Sequence, residues 1–199
     1  MCLMIPKTIH QIWMGNNPPT EWINSFKKKY RGYKHILWDE NMLLPFFNRL
    51  LFEEQDRGCA KADILRYEIL YRYGGVYFDA DMVCLKKIPD SFLKDDFFTA
   101  YESEKYLPGL VNNAVIGCVA GHPIMREMIQ GLKDRDPKLP IWQRFGPGYL
   151  TETIKGHDVK IYESRLFHPV HFIDRKKGTE DQERLKGAYV DHKFGSTNI

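Results

Sequence analysis

Residues 63–83 read DILRYEILYRYGGVYFDADMV. The run opens as a helix, breaks at Gly74-Gly75, and resumes as a short apolar strand, Val76-Tyr77-Phe78, that ends in Asp79-Ala80-Asp81. Side chains two apart on an extended strand point the same way, so Asp79 and Asp81 are expected to present two carboxylates on one side. Ala80 between them points opposite and is small enough to pack closely. Two hard oxygen ligands at a strand end suit Mg²⁺ or Mn²⁺, which takes one or two carboxylates together with substrate phosphates. A solvated acidic turn is the plainer reading of any Asp-x-Asp. The helix, glycine pair and strand that frame this one favour a site.

Working outward, the 199 residues suit one domain with a sizeable core, and no internal repeat or domain boundary interrupts them, so residues 1–199 are expected to form one unit. Charged residues make up 28% and aromatics 14%, which argues against disorder and leaves rings to spare for a ring-shaped ligand. A net charge of +3 is too mild to argue for nucleic acid, and would slightly favour an anionic small molecule or surface. Met1–Ile5 is too short for a signal peptide or a membrane span. Cys2, Cys59, Cys84 and Cys118 are widely spaced, which reads as reduced core thiols in a cytoplasmic protein.

Upstream, Ile5–Trp13 alternates as a strand, with Ile12 and Trp13 at its end, and runs into the turn-forming Gly15-Asn16-Asn17-Pro18-Pro19. Thr20 is expected to cap a helix through Tyr30, Tyr33–Trp38 to form a second strand, and Asp39 to cap a helix that Pro45 kinks or delays. Downstream, strands are expected around Phe97–Tyr101, Ala114–Val119 and Val159–Tyr162, and helices over His122–Leu132 and after the Phe145–Gly148 turn. Arg175–Lys186 mixes charges without apolar periodicity and reads as an exposed loop. Strands alternating with helices predict an α/β fold with a mostly parallel central sheet flanked by helices, and ligands in such sheets bind beyond the strands' carboxyl ends. Asp63 and Arg66, three apart on a helix, form either a surface ion pair worth roughly 0.2–0.5 kcal/mol or a fork that grips hydroxyls and phosphate oxygens. Trp13 is either core or a stacking platform for a base or sugar.

Three segments together, Ile5–Gly15 (IPKTIHQIWMG), Asp63–Val83 and Phe145–Thr151 (FGPGYLT), resemble the DXD-containing glycosyltransferases of sequence family 32, which include the yeast initiating α-1,6-mannosyltransferase and an α-1,4-galactosyltransferase. The catalytic core is also similar to that of the glucosylating clostridial toxins. The resemblance reaches to about Thr151, with a weaker echo at Ala188–Ser196. It implies a GT-A type fold, a nucleotide-sugar donor (a UDP-sugar ahead of GDP-mannose), a Mn²⁺ or Mg²⁺ ion, and retention of anomeric configuration at a hexose. By position it implies that Ile12 and Trp13 meet the base, that Asp63 and Arg66 hold the donor sugar and its phosphate side, and that Tyr77 and Ala80 line the donor pocket. Asp79 and Asp81 would serve the metal and the chemistry, and His192 would be a further metal ligand, although the tail here lacks the family's tryptophans.

The implied acceptor is a glycan or lipid-linked hydroxyl, received by loops such as Ser103–Leu110 and Pro137–Phe145, with peripheral membrane association as a further expectation. A bacterial or viral cytoplasm is the expected setting. Two other classes remain open on residues alone. Phe78–Val83 also fits the Asp-x-Asp-x-Val/Thr motif of haloacid-dehalogenase-type phosphatases, but no glycine-threonine follows and Asp95-Asp96 comes too early for the later acid pair. A non-catalytic carbohydrate-binding module would use the aromatics without needing the metal pair.

Overall fold

The computed structural model describes residues 4–42, 45–178 and 182–194. Cys2 and the end of the expected tail motif, from Gly195 onward, lie outside them. Strands β1 (Thr8–Ile12), β2 (Lys34–Trp38) and β3 (Gly75–Phe78) are linked by helices α1 (Thr20–Lys29), α2 (Arg49–Glu53) and α3 (Gly58–Tyr73). Strand β4 (Met82–Cys84) and the hairpin β5 (Phe97–Ser103) and β6 (Leu107–Cys118) follow. Then come α4 (Pro123–Gly131), α5 (Ile141–Arg144), α6 (Pro147–Thr153), β7 (Lys160–Tyr162), α7 (Ser164–Phe167), α8 (Phe172–Lys176), α9 (Gln182–Leu185) and β8 (Val190–His192). The main sheet has the order β2-β1-β3-β6-β5-β7. Pairs β1–β2, β1–β3 and β5–β7 are parallel, while β6 runs antiparallel to both its neighbours.

The sheet is covered on both sides, which explains the apolar run of β3. Tyr77 faces α3, α4 and α6, packing with Ile64, Leu70, Ile116, Met125 and Leu150. Val76 and Phe78 face the other side, with Phe26, Phe98, Val115, Phe167 and Val190. His10 on β1 is wholly buried. The Trp38 indole N–H donates to its Nδ1 (3.1 Å), so Nε2 carries the proton and donates to the Gly74 carbonyl (2.9 Å). Burial pushes its pKa down to about 4, which keeps it neutral. This histidine fixes the junction where α3 turns into β3.

That junction needs both glycines. Gly74 and Gly75 have φ of +58° and +105°, and a Cβ on Gly75 would lie 2.7 Å from the Thr8 carbonyl oxygen. Gly75→Ala is therefore expected to lose about 1–3 kcal/mol from backbone strain alone, before the clash with β1 is added. Urea denaturation would show it as a lowered midpoint, and an unchanged midpoint would mean that the junction is not constrained in this way.

Several sequence expectations change in the structure. Asp79-Ala80-Asp81 is not an extended strand end but a turn between β3 and β4, closed by Met82 N–H donating to the Asp79 carbonyl (3.2 Å). Thr20 is the first helical residue of α1 and makes no side-chain cap; Pro19 holds the cap position. Asp39 accepts from the backbone of Asn41 and Met42 in a local turn, and among the described residues the helix expected there is α2, beyond Pro45. The expected loop Arg175–Lys186 contains the end of α8 and all of α9, and the half-buried Arg175 pairs with the buried Asp191. Arg175 pairs with Asp191 and Arg184 with Asp174, and short helices attached through charged side chains leave no apolar period to read.

A second, two-stranded sheet completes the frame. Strand β8 pairs antiparallel with β4, Met82 opposite His192, and Lys193 N–H donates to the Asp81 carbonyl (2.9 Å). This pairing brings the last described segment against the Asp79–Asp81 turn, more than a hundred residues away in sequence.

Candidate active site

The carboxyl ends of β1 and β3, the amino end of α3 and the tip of the β5–β6 hairpin enclose a cavity of about 860 Å³. Every residue singled out from the sequence lines it: Ile12, Trp13, Asp63, Arg66, Tyr77, Asp79, Ala80, Asp81 and His192. Trp13 sits at the β1 end, its indole N–H tied to the Asn16 carbonyl (3.3 Å).

Asp63 and Arg66 are not a surface pair. Their side chains are 11% and 4% exposed, with Arg66 Nη2 2.8 Å from Asp63 Oδ1 and Nη1 3.1 Å from Asp79 Oδ1. Nη1 also donates to the Asn113 carbonyl (2.6 Å), and the guanidinium lies over the Tyr77 ring at 4.5 Å. Tyr77 O–H donates to Asp79 Oδ1 (2.8 Å). Burial pushes Asp63 up to about 6, against the pull of Arg66 and the Asn113 hydrogen bond. Burial works against the Arg66 charge as well, but Asp79, Tyr77 and Asp63 outweigh it and hold its pKa above the ordinary value. The expected Phe145–Gly148 turn runs directly against this network: Tyr67 O–H donates to the Phe145 carbonyl (2.7 Å), and a Cβ on Gly146 would lie 3.1 Å from Asp63 Oδ2.

On the far side of Asp79, His192 Nε2 lies 3.1 Å from Asp81 Oδ1 and 3.8 Å from Asp79 Oδ2. Burial alone would lower the pKa of His192, but Asp81, its hydrogen bond, Asp79 and Glu102 outweigh it and hold the ring above its ordinary value. One ligand atom from each of Asp79, Asp81 and His192 falls within 4.8 Å of the others. Asp63 and Asp79 face the Arg66 guanidinium and Asp81 faces His192, so three carboxylates gather at the floor of the cavity, where a bound cation would offset their charge. Two carboxylate oxygens and one imidazole nitrogen at this spacing fit a divalent ion, and the imidazole suits Mn²⁺ better than Mg²⁺.

The structure adds residues that the sequence reading did not single out. Glu102, Asn112 and Asn113 line the cavity, as do Trp142, Phe172 and Phe194. The β5–β6 register shifts between Phe98 and Ala100, and Thr99 O–H bridges the irregularity to the carbonyls of Asn112 (2.7 Å) and Val115 (3.0 Å). Asn113 Nδ2 donates to Asp63 Oδ1 (2.8 Å), and Asn112 Nδ2 donates to Glu102. The one signal in the sequence was a pair of asparagines, Asn112-Asn113, just ahead of the apolar strand expected at Ala114–Val119. Of the segments expected to receive an acceptor, Leu107, Leu110, Pro140, Ile141 and Trp142 reach the cavity. His168 and His171 are buried, and His171 Nδ1 caps α8 by accepting from Ile173 N–H (3.4 Å). Cys59, Cys84 and Cys118 are free thiols.

The family described as "Glycosyltransferase sugar-binding region containing DXD motif" matches residues 19–99, which include Asp63, Arg66 and the Asp79–Asp81 turn. The chain is 33% identical to a mannosyl phosphorylinositol ceramide synthase of Saccharomyces cerevisiae, over 95% of this chain and 56% of that one. It is 29% identical to an uncharacterized glycosyltransferase of Acanthamoeba polyphaga mimivirus, over 87% and 76%. The chain spans about half the length of the yeast relatives it matches. Fungal and viral relatives together do not single out the bacterial or viral setting expected from the sequence. No described helix is long and apolar enough to cross a membrane. In structure the chain resembles the UDP-bound glycosyltransferase domain of the YGT toxin, with a TM-score of 0.55 at 11% identity, covering 92% of this chain and 88% of that one. The fold is thus the GT-A glycosyltransferase fold. In its sheet, its Asp79-Ala80-Asp81 turn and the sugar-binding region matched over residues 19–99, the chain is similar to the DXD-containing glycosyltransferases of family 32.

Proposed function

We propose that this chain transfers a hexose from a nucleotide-sugar donor to a hydroxyl acceptor, with a divalent ion held by Asp79, Asp81 and His192. The observation that carries the proposal is the convergence of those three ligand atoms within 4.8 Å in the cavity that Asp63 and Arg66 also line. Trp13, beside Ile12, offers its ring to the base. Asp63 accepts hydrogen bonds from sugar hydroxyls, and Arg66, braced by Asp63 and Asp79, presents its fixed charge toward the diphosphate. Tyr77 and Ala80 shape the wall next to the sugar.

When bound, the ion supplies Lewis-acid stabilisation of the departing diphosphate. The buried Arg66 guanidinium adds a second positive charge that needs no reorganisation. Retention of configuration follows from the family resemblance, with the acceptor hydroxyl attacking on the face the phosphate leaves and the phosphate receiving its proton.

Two donors compete. Motif resemblance favours a UDP-sugar, and the names of the curated relatives favour a mannosyl donor such as GDP-mannose. Relatives at 33% identity weigh more, so GDP-mannose comes first and a UDP-sugar second. The same names point to a lipid-linked acceptor hydroxyl, and the partly exposed Leu107 and Trp142 on the cavity lining suit an acceptor with an apolar part, or a membrane surface carrying it.

The test is an incubation with GDP-mannose, UDP-glucose and UDP-galactose in turn, with Mn²⁺ and myo-inositol as a soluble acceptor. Nucleoside diphosphate should be released from one donor, stop with EDTA and resume with added Mn²⁺. Product-anomer NMR should show the donor's own configuration. Release of inorganic phosphate from simple phosphoesters, with no donor consumed, would contradict the proposal.

A further inference from the structure

His192 uses only one of its ring nitrogens toward the carboxylates. Its Nε2 faces Asp81 and Asp79, while its Nδ1 points away into the protein, 3.4 Å from Nδ1 of His168. An imidazole that binds a metal through Nε2 keeps its proton on Nδ1, and that proton needs an acceptor. We infer that His168 is a positioning residue of the metal site, accepting the Nδ1 proton of His192 and so fixing the tautomer whose Nε2 lone pair faces the ion. The inference rests on the assignment of Asp79, Asp81 and His192 as ligands.

Three observations support it. His168 is 2% exposed, and its Nδ1 faces Nδ1 of His192 across 3.4 Å, a contact in which one ring must donate and the other accept. With Nδ1 accepting, the proton of His168 sits on Nε2, which is buried without a hydrogen-bond partner among the described residues. A buried polar atom left unpaired costs about 1–3 kcal/mol, a cost that an apolar side chain of similar size would avoid. The segments that carry the two rings are also tied to each other. His168 N–H donates to the Ser164 carbonyl (2.6 Å), and Tyr189 N–H to the Leu166 carbonyl (2.8 Å), which ties α7 to the segment carrying His192. Phe194 stacks on the His192 ring at 4.0 Å and 21°.

The test compares His168→Leu, which fills the space without an acceptor, with His168→Asn, whose amide oxygen can still accept. Mn²⁺ affinity is read by electron paramagnetic resonance, with no donor present. His168→Leu should weaken Mn²⁺ about 10–100-fold, and His168→Asn should stay close to the wild type. Equal affinity in all three proteins, or equal loss in both variants, would overturn the inference. Absence of Mn²⁺ binding by the wild type would instead remove the metal assignment beneath it. If the leucine variant does not fold, nitrogen-15 NMR of wild-type histidines with Mg²⁺ bound reads the tautomer directly. Protonation of His168 on Nε2, with its Nδ1 left to accept from His192, is expected, and protonation of His168 on Nδ1 would overturn the inference.

Discussion

Asp81→Asn should abolish sugar transfer in a protein that still folds. The substitution keeps the volume of the side chain and leaves the Asp81 carbonyl free to accept from Lys193 as before. What it removes is one of two negative ligands beside His192. Losing several kcal/mol of leaving-group stabilisation corresponds to a fall on the order of a thousandfold. The fold should be retained, because the amide oxygen of the new side chain can still accept from His192 Nε2 as Asp81 Oδ1 does. Nucleoside diphosphate release and Mn²⁺ titration are the readouts. Wild-type turnover by a folded Asp81→Asn protein would contradict the assignment of this turn to the metal.

The second large effect belongs to Arg66. Two readings of the Asp63–Arg66 spacing were open: a solvated pair costing little when broken, or a grip on the donor. Its side chain is 4% exposed and contacts two carboxylates, a carbonyl and an aromatic face. Removing one partner of a buried pair leaves the others uncompensated, so Arg66→Ala is expected to cost about 3–5 kcal/mol of stability and to lose donor binding. Arg66→Lys separates the two effects. It keeps the charge but not the fork that reaches Asp63, Asp79 and Asn113 together, so the protein should fold better than the alanine variant while turnover stays low. Urea denaturation and donor titration measure the pair. A loss below about 1 kcal/mol with normal kinetics would mean that solvent screens the charges after all.

What the sequence made legible follows from how local each feature is. The helix, glycine pair and strand of residues 63–83 were readable because a 3.6-residue period, a double break and an apolar run occur in direct succession. The nine expected site residues fall in one cavity because most of them lie at the ends of β1 and β3, and parallel neighbours place their carboxyl ends together. The turn geometry of Asp79–Asp81 was not legible. An Asp-x-Asp can close a turn or extend a strand, and here the hydrogen bond from Met82 to Asp79 decides.

Glu102, Asn112 and Asn113 were missed for a different reason. They face the cavity through an irregularity in the β5–β6 register, which depends on Thr99 bridging two carbonyls rather than on any pattern along the chain. The approach of His192 to Asp81 was expected from resemblance alone. Its physical cause is the pairing of β8 with β4, a contact between segments far apart in sequence, and the pattern of such short strands does not announce a partner. The depth at which Asp63 and Arg66 are buried was likewise invisible, since it comes from Tyr77, Asn113 and the Phe145–Gly148 turn closing over α3.

The central claim is that one divalent ion sits among Asp79, Asp81 and His192, next to a diphosphate in the same cavity. Anomalous diffraction from crystals grown with Mn²⁺ and either GDP or UDP tests it most directly. A single manganese peak within ligand distance of all three side chains and of a phosphate oxygen is the expected result. A diphosphate bound in the cavity with no manganese peak at these residues, or with the peak elsewhere, would contradict it.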